Sequence, residues 1–233
     1  MIKNKRVLAI IPARARSKRV KDKNTRPLGG IPLIQHTLNT INASKYIDCT
    51  FVSTDSEKIQ KIAQSLGFEA SPLRSESLSS DLATSTDVIL DILLNIKKDF
   101  DLVILLQPTS PFRTTGNIDE ALELYFSKNA KSVVSVCEAE CHPSWVGAIG
   151  SDLKMNSLIE SLQFKRSQDL QIFYKLNGAI YIMAANDFLQ EKSFYLKDGT
   201  YSFVMSRDSS IYIDVEGDLA LAEVLYEKNK IIV

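Results

Sequence analysis

Two runs of five residues with no polar side chain, Val7–Ile11 and Leu102–Leu106, do most to restrict how this chain can fold. Each stops at a turn signal, Pro12 in the first case and Gln107-Pro108 in the second. Short apolar runs bounded in this way read as strands buried on both faces, the pattern of a parallel sheet covered by helices. Helical stripes alternate with them. Leu33, Ile34, Thr37, Leu38 and Ile41 follow Pro32, which suits a helix start. Ile59, Ile62, Ala63 and Leu66 lie between a Thr54-Asp55 cap and a terminating Gly67. Val88, Ile89, Ile92, Leu93 and Ile96 form a third helix opening near Thr86, and 117–128 a fourth. Cys49–Ser53 and Ser132–Cys137 add strands. The resulting order, β-α-β-α-α-β-α-β, predicts an α/β fold with a mostly parallel sheet and helices on both faces.

After Cys137 the alternation lapses. Residues 138–176 combine a polar segment, a weak hairpin pattern at Ser144–Leu158 and the patch Lys165-Arg166-Ser167-Gln168-Asp169. This stretch reads as an insertion outside the layered core. Ala179–Met183, Tyr201–Met205 and Ile211–Val215 then read as strands, and Leu219–Lys228 as a last helix. With no repeats, low-complexity tracts or linkers, the expectation is one domain over residues 1–233 with an arm at about 138–176.

The segment after the first apolar run carries the strongest chemical signal. Between Arg14 and Arg26 stand seven basic residues (Arg14, Arg16, Lys18, Arg19, Lys21, Lys23, Arg26) and one acid, Asp22, in a chain whose formal net charge is zero. A strand emptying into such a loop is how an open α/β sheet presents an anion site. No glycine occurs before Gly29, so neither glycine-rich phosphate fingerprint is present, and side-chain cations must meet the anion.

Three further segments hold candidate ligand contacts. Gln107 sits at a strand tip in a turn stiffened by Pro108 and Pro111. Asn177-Gly178 enters a strand with a glycine that permits close backbone approach. Asp214 stands late in a strand pattern, placed for a hard cation such as Mg²⁺, whereas Asp218 suits a helix start.

Several classes are disfavoured. Zero net charge, and no aromatic residue among the basic ones of the loop, argue against nucleic-acid binding. No apolar run reaches membrane-spanning length, and the apolar segment before Pro12 is too short for a signal peptide, so the cytoplasm is expected. Cys49, Cys137 and Cys141 do not form a disulfide framework, and Cys137, Cys141 and His142 lack a fourth zinc ligand nearby. No G-x-S-x-G nucleophile motif occurs.

Taken in order, IPARARSKRVKDKN, LLQPTSPFR, LNGAIYI and SIYIDVEGDL resemble the four motifs of the CMP-sialic acid synthetases (acylneuraminate cytidylyltransferases). The resemblance runs from about Val7 to Glu223. It implies a Rossmann-like domain, a homodimer contacted through the arm, and Mg²⁺-assisted transfer of CMP from CTP to a nine-carbon α-keto sugar acid (sialic acid or a relative such as legionaminic or pseudaminic acid), the alternatives being another α-keto sugar acid such as the eight-carbon Kdo or a non-catalytic nucleotide-sugar-binding homologue. It places Arg14, Ser17, Lys18, Lys23 and Asn24 on the CTP loop; the chemistry of the transfer then suggests catalytic cations, Lys23 for the α-phosphate and Arg14 or Lys18 for the leaving pyrophosphate. Arg74, Ala83 and Ser85 fall on the nucleotide-recognising segment. Gln107, Lys175, Tyr181, Phe194 and Tyr195 fall on the sugar side, and Asp214 on a metal-binding aspartate. The chain also departs from the family pattern. The loop is more cationic. Tyr212-Ile213-Asp214 replaces the usual Asp-x-Asp, so that Asp214 suffices with phosphate oxygens and water, or metal binding is weakened, or Glu216 or Asp218 substitutes. Arg166-Ser167-Gln168 replaces Arg-Arg-Gln, leaving Arg166 as the remaining candidate for the sugar carboxylate.

Overall fold

Strand β1 (Val7–Pro12) lies inside the sheet, with residues 7 to 11 fully buried. The structure is a computed structural model that describes residues 1–15, 17–69, 71–161, 166 and 169–231. Arg16 of the basic loop, and Lys165, Ser167 and Gln168 of the arm patch, lie outside the described residues. In chain order, β1 is followed by a small hairpin, β2 (Pro27–Leu28) and β3 (Ile31–Pro32), and by α1 (Leu33–Asn42). Next come β4 (Cys49–Ser53), α2 (Glu57–Ser65), α3 (Glu76–Ser79), α4 (Ser85–Asn95), β5 (Leu102–Leu105), α5 (Thr115–Ser127) and β6 (Ser132–Glu138). A short helix α6 (Asn156–Ser161), β7 (Tyr174–Ala184), α7 (Ala185–Glu191), β8 (Thr200–Val204) and α8 (Glu216–Ile231) complete the order.

The main sheet has six strands in the order β4-β1-β5-β7-β6-β8. β1 pairs in parallel with β4 (Ile10 opposite Phe51) and with β5 (Ile10 opposite Leu105). β6 and β8 are also parallel, and β7 alone runs against its neighbours. Side chains alternating along β1 separate into two cores. Ala9 and Ile11 join residues of α1, α2 and α5, whereas Leu8 and Ile10 join residues of α4 and α7. A strand buried on both faces needs this double cover, so the mostly parallel sheet with helices on both faces is as the apolar runs predict. Burying one such leucine or isoleucine stabilises by about 1.5–3 kcal/mol.

Strand direction positions the site. The carboxyl ends of β1, β4 and β5 lie along one edge because the three are parallel, and the amino end of β7 lies there because it is antiparallel. β7 also carries a distortion. Val134 pairs with Tyr181 but Val136 with Leu176, so residues 177–180 bulge out of register. Ser135 holds the bulge, its hydroxyl donating to Asn177 Oδ1 at 2.6 Å and accepting the Ile180 N–H at 2.7 Å. Bulges of this kind re-aim side chains beside functional sites.

Four sequence expectations are corrected. Ile211–Val215 is not a strand of the sheet. Its Ile213 N–H bonds the Thr109 carbonyl at 2.8 Å, and the Ile213 side chain is buried in a third cluster with Val20, Leu28, Leu33, Leu219 and Ala222. Its apolar content thus serves a loop packed under α8. Ser144–Leu158 is not a hairpin; a 3₁₀ turn at Pro143–Trp145 and the start of α6 occupy it. The strand expected at Ala179–Met183 begins at Tyr174, extending into the proposed arm. Finally, Ser56 caps α2 by accepting the Ile59 N–H, which frees Asp55 to accept the Ala15 N–H at 2.6 Å and so anchor the basic loop.

Candidate active site

The edge described above opens into a cavity of about 380 Å³. Its walls include Arg14, Ser17, Lys18, Lys23 and Asn24 of the basic loop, Arg74, Ala83 and Ser85 beyond β4, Gln107 and Thr109 beyond β5, and Asp214. Every nucleotide-side candidate named from the sequence therefore lines one cleft. A neighbouring cavity of about 360 Å³ is lined by Lys175, Asn177, Gly178, Tyr181 and Ser210. Gln107 and Tyr212 line both and form the ridge between them. Gly178 lies against that ridge with φ +73°; a β-carbon there would sit 3.0 Å from Gln107 Oε1 and 3.1 Å from the Tyr212 ring. Glycine is needed both for the backbone angle and for the space.

The cations of the cleft are not alike. Lys23 is largely buried, donates to the Ile213 carbonyl at 2.9 Å and lies 3.7 Å from Asp214. Burial lowers its pKa below the ordinary lysine value, with Asp214 opposing and Arg19 reinforcing the effect. Arg14 and Lys18 converge on Asp81, at 3.0 and 2.5 Å. The hydrogen bond from Lys18 above all, with Arg14 adding to it and desolvation opposing, holds the Asp81 carboxyl below its usual range. Arg19 bonds Asp214 at 2.5 Å. Arg74 is held by Ser53, its Nε donating to the hydroxyl at 3.0 Å and Nη2 to the carbonyl at 2.5 Å. Asn24 is buried and spends its Nδ2 on the Arg14 carbonyl at 2.9 Å, so it shapes the loop from within. Ser85 opens α4, whose Thr84 cap forms a capping box with Asp87, and the positive end of that helix borders the cavity.

On the other side of the ridge, Tyr181 packs with Phe194 (ring centroids 5.5 Å apart) and edge-on to Tyr195 at 6.3 Å. Burial first, then the Tyr195 phenol, raises the Tyr181 pKa. Phe194 is itself buried in the core behind Tyr181 and supports it, whereas Tyr195 is exposed. Lys175 pairs with Glu140 at 2.6 Å. Arg166 is exposed and does not line either cavity among the described residues.

Asp214 is the carboxylate that the Asp-Val-Glu-Gly-Asp segment turns into the cleft. Asp218 Oδ2 instead accepts the N–H groups of Asp214 and Val215, at 2.8 and 2.9 Å, and Glu216 is taken by Arg26 through two bonds of 2.9 and 3.2 Å. Neither is placed to replace the carboxylate missing at Tyr212. Among the described residues no three His, Cys, Asp or Glu side chains converge as a metal cluster. One carboxylate facing a cationic cleft still fits Mg²⁺, which takes few protein ligands and completes its shell with phosphate oxygens and water.

Asp81, Thr84 and Thr109 were not singled out in the sequence. Asp81 sits in a serine-rich stretch that reads as solvated surface, and only folding brings it to Arg14.

A profile of the cytidylyltransferase family matches residues 8–231. The chain belongs to the cytidylyltransferase family. Among curated relatives, this cytidylyltransferase is 41% identical to the CMP-N,N'-diacetyllegionaminic acid synthase of Legionella pneumophila, over 97% of this chain and 98% of that one. It is 38% identical to the N-acylneuraminate cytidylyltransferase of Streptococcus agalactiae serotype V, over 91% of this chain but 51% of that one, so it spans about half the relative's length. The fold matches that of a CMP:2-keto-3-deoxy-manno-octonic acid synthetase solved with CTP, at a TM-score of 0.72 and 17% identity, over 96% of this chain and 99% of that one. The motif resemblance to the acylneuraminate cytidylyltransferases is thus borne out, as is the nucleotidyltransferase class. No helix among the described residues is long and apolar enough to cross a membrane.

Proposed function

We propose that this cytidylyltransferase transfers CMP from CTP to the anomeric hydroxyl of a nine-carbon α-keto sugar acid, releasing pyrophosphate. The carrying observation is the pair of cavities that share Gln107 and Tyr212, one rich in cations and the other lined by Lys175, Asn177 and tyrosine. A nucleotide triphosphate suits the first and a carboxylated, polyhydroxylated sugar the second, with the reacting atoms meeting at the ridge. The similarity to legionaminic and acylneuraminic acid enzymes supports this acceptor class. The likeness to the synthetase for the eight-carbon acid extends to fold alone.

In this reading the anomeric oxygen attacks the α-phosphorus, the bond to the β-phosphate oxygen breaks, and pyrophosphate leaves in line. Positioning and charge stabilisation carry such a step. Lys23, held by the Ile213 carbonyl, meets the α-phosphate, and Arg14 and Lys18 take the leaving pyrophosphate in competition with Asp81. Asp214 would hold Mg²⁺, which when bound would neutralise charge on the phosphate oxygens. Arg74, Ala83 and Ser85 border the nucleotide, and Asn24 keeps the loop in shape. Lys175 and Gln107 contact the acid, with Tyr181, Phe194 and Tyr195 forming its apolar backing; Arg166 has no part unless the arm brings it in. A pyrophosphate-release assay with CTP over a panel of nine-carbon and eight-carbon acids tests the assignment. Activity confined to eight-carbon acids, or none with any acid, would overturn it.

The working unit in this reading is a homodimer. Trp145, Val146, Ile149, Leu153, Ile159 and Ile172 are all exposed within the arm, apolar side chains that a partner subunit would take out of water. Three unpaired cysteines accord with a cytoplasmic setting.

A further inference from the structure

The 105–113 segment ends in a side chain that the reaction outlined above does not use. Arg113 is 1% exposed, and among the described residues no carboxylate pairs with it. Its Nη1 donates to the Ala179 carbonyl at 2.8 Å and to the Gln107 carbonyl at 3.3 Å, its Nη2 donates to Thr37 Oγ1 at 2.9 Å, and its Nε has no partner. Burial lowers its pKa to about 9. An apolar side chain of similar volume would fill the same space without taking a cation out of water. What the guanidinium does, and an apolar group would not, is span acceptors on three separate segments with one planar fork.

Those three segments are the ones that must be in register for the two cavities to meet. Thr37 lies on α1, directly after the basic loop and its hairpin. Gln107 is the ridge, and Ala179 follows Gly178, against which Gln107 and Tyr212 pack. The Gln107 carbonyl also accepts the Ser110 N–H at 3.2 Å, and Ser110 Oγ in turn donates to the Asn177 carbonyl at 3.3 Å. Asn177 continues the network to Ser135 and Ser210, each at less than 3 Å. The bulge of β7 therefore has its own anchors in Ser135 and Ser210, whereas Arg113 is what ties that bulge to α1 through the ridge.

We infer that Arg113 is a positioning residue for the acceptor acid, fixing Gln107 between the two cavities so that its amide meets the sugar in one orientation. The inference rests on the transferase reading and extends it to a residue that does not touch substrate. Lysine in its place keeps the charge but offers a single donor point that cannot span the three acceptors.

The test compares Arg113→Lys and Arg113→Met with wild type by thermal midpoint, CTP affinity from calorimetry, and steady-state kinetics with an acid that wild type turns over. CTP affinity should stay within about twofold while the KM for the acid rises about tenfold and kcat falls by up to about 10²-fold, with lysine recovering part of what methionine loses. A lowered thermal midpoint with unchanged kinetics per folded molecule would overturn the inference, as would CTP affinity and acid KM weakening together. Wild type inactive with every acid would sink the transferase reading itself. In that event the side-chain amide resonance of ¹⁵N-labelled Gln107, assigned by its loss in Gln107→Glu, still decides: broadening or splitting in Arg113→Lys supports the clamp, and an unchanged signal removes it.

Discussion

Lys23 reaches across 190 positions of sequence to donate from its ammonium to the Ile213 carbonyl at 2.9 Å. That bond joins the basic loop after β1 to the segment carrying Asp214, so one contact couples the cation-rich loop to the wall that presents the Asp214 carboxylate. The same contact makes Lys23 unlike the exposed cations around it. It is held in place and partly stripped of water, which lowers its pKa.

Lys23→Ala is expected to lower kcat by about 10²–10³, the usual cost of removing one well-placed charge-stabilising group. Near-normal turnover would exclude the role. The pH dependence follows from the sign of the shift. A lysine whose pKa is lowered loses its positive charge at lower pH than an exposed lysine. The plot of kcat/KM for CTP, which reports the free enzyme, should therefore fall on the alkaline side before the ordinary lysine range is reached. Lys23→Arg should move that fall out of range, because guanidinium stays protonated.

Gly178→Ala tests the ridge. Alanine at positive φ costs about 1–3 kcal/mol, and at this chain length each kcal/mol lowers the thermal midpoint by about 2–4 °C. Its methyl would also press on Gln107 Oε1 and the Tyr212 ring. Calorimetry should show the lowered midpoint, and the acid KM should rise more than the KM for CTP.

Metal dependence should separate three carboxylates that are close in sequence. Asp214→Asn is expected to raise the Mg²⁺ concentration for half-maximal activity by about tenfold, one oxygen ligand being lost from a sparsely ligated site. Glu216→Gln should leave that concentration unchanged, since Glu216, unlike Asp214, does not line the cleft and is engaged by Arg26. Asp218→Ala should act mainly on stability, by about 1 kcal/mol, through the lost helix-start bonds. Tyr212→Asp, which adds a carboxylate to the wall of the cleft, should lower the Mg²⁺ requirement. A Mg²⁺ titration of each variant that showed no shift for Asp214→Asn would remove the metal from this residue.

Assembly through the arm predicts that Ile149→Asp with Leu153→Asp converts a dimer to single chains of 26.1 kDa, measured by size-exclusion chromatography with light scattering. Two buried charges at the centre of an apolar interface are hard to tolerate. A wild-type monomer would refute the dimer.

What the sequence determined by itself is the layered core and the identity of the four motifs. The runs at β1 and β5 were legible because a strand buried on both faces admits no polar residue, and the stripes of α1, α2, α4 and α5 because each helix buries one face. The basic loop was legible as a candidate anion site because its charges have no counter-ions nearby in sequence; the carboxylates that meet them, Asp81, Asp214 and Glu216, come from distant segments. Tertiary structure alone decided the rest, since contacts distant in sequence leave no local pattern. Ile211–Val215 has the composition of a strand, yet the bond from Ile213 to Thr109 and burial under α8 make it a wall of the cleft. Asp81 looked like surface until the fold set it against Arg14 and Lys18. Arg113 looked like the end of a turn. Only the antiparallel placement of β7 brings Ala179 and Gln107 within reach of one guanidinium, and with them the two cavities to a common ridge.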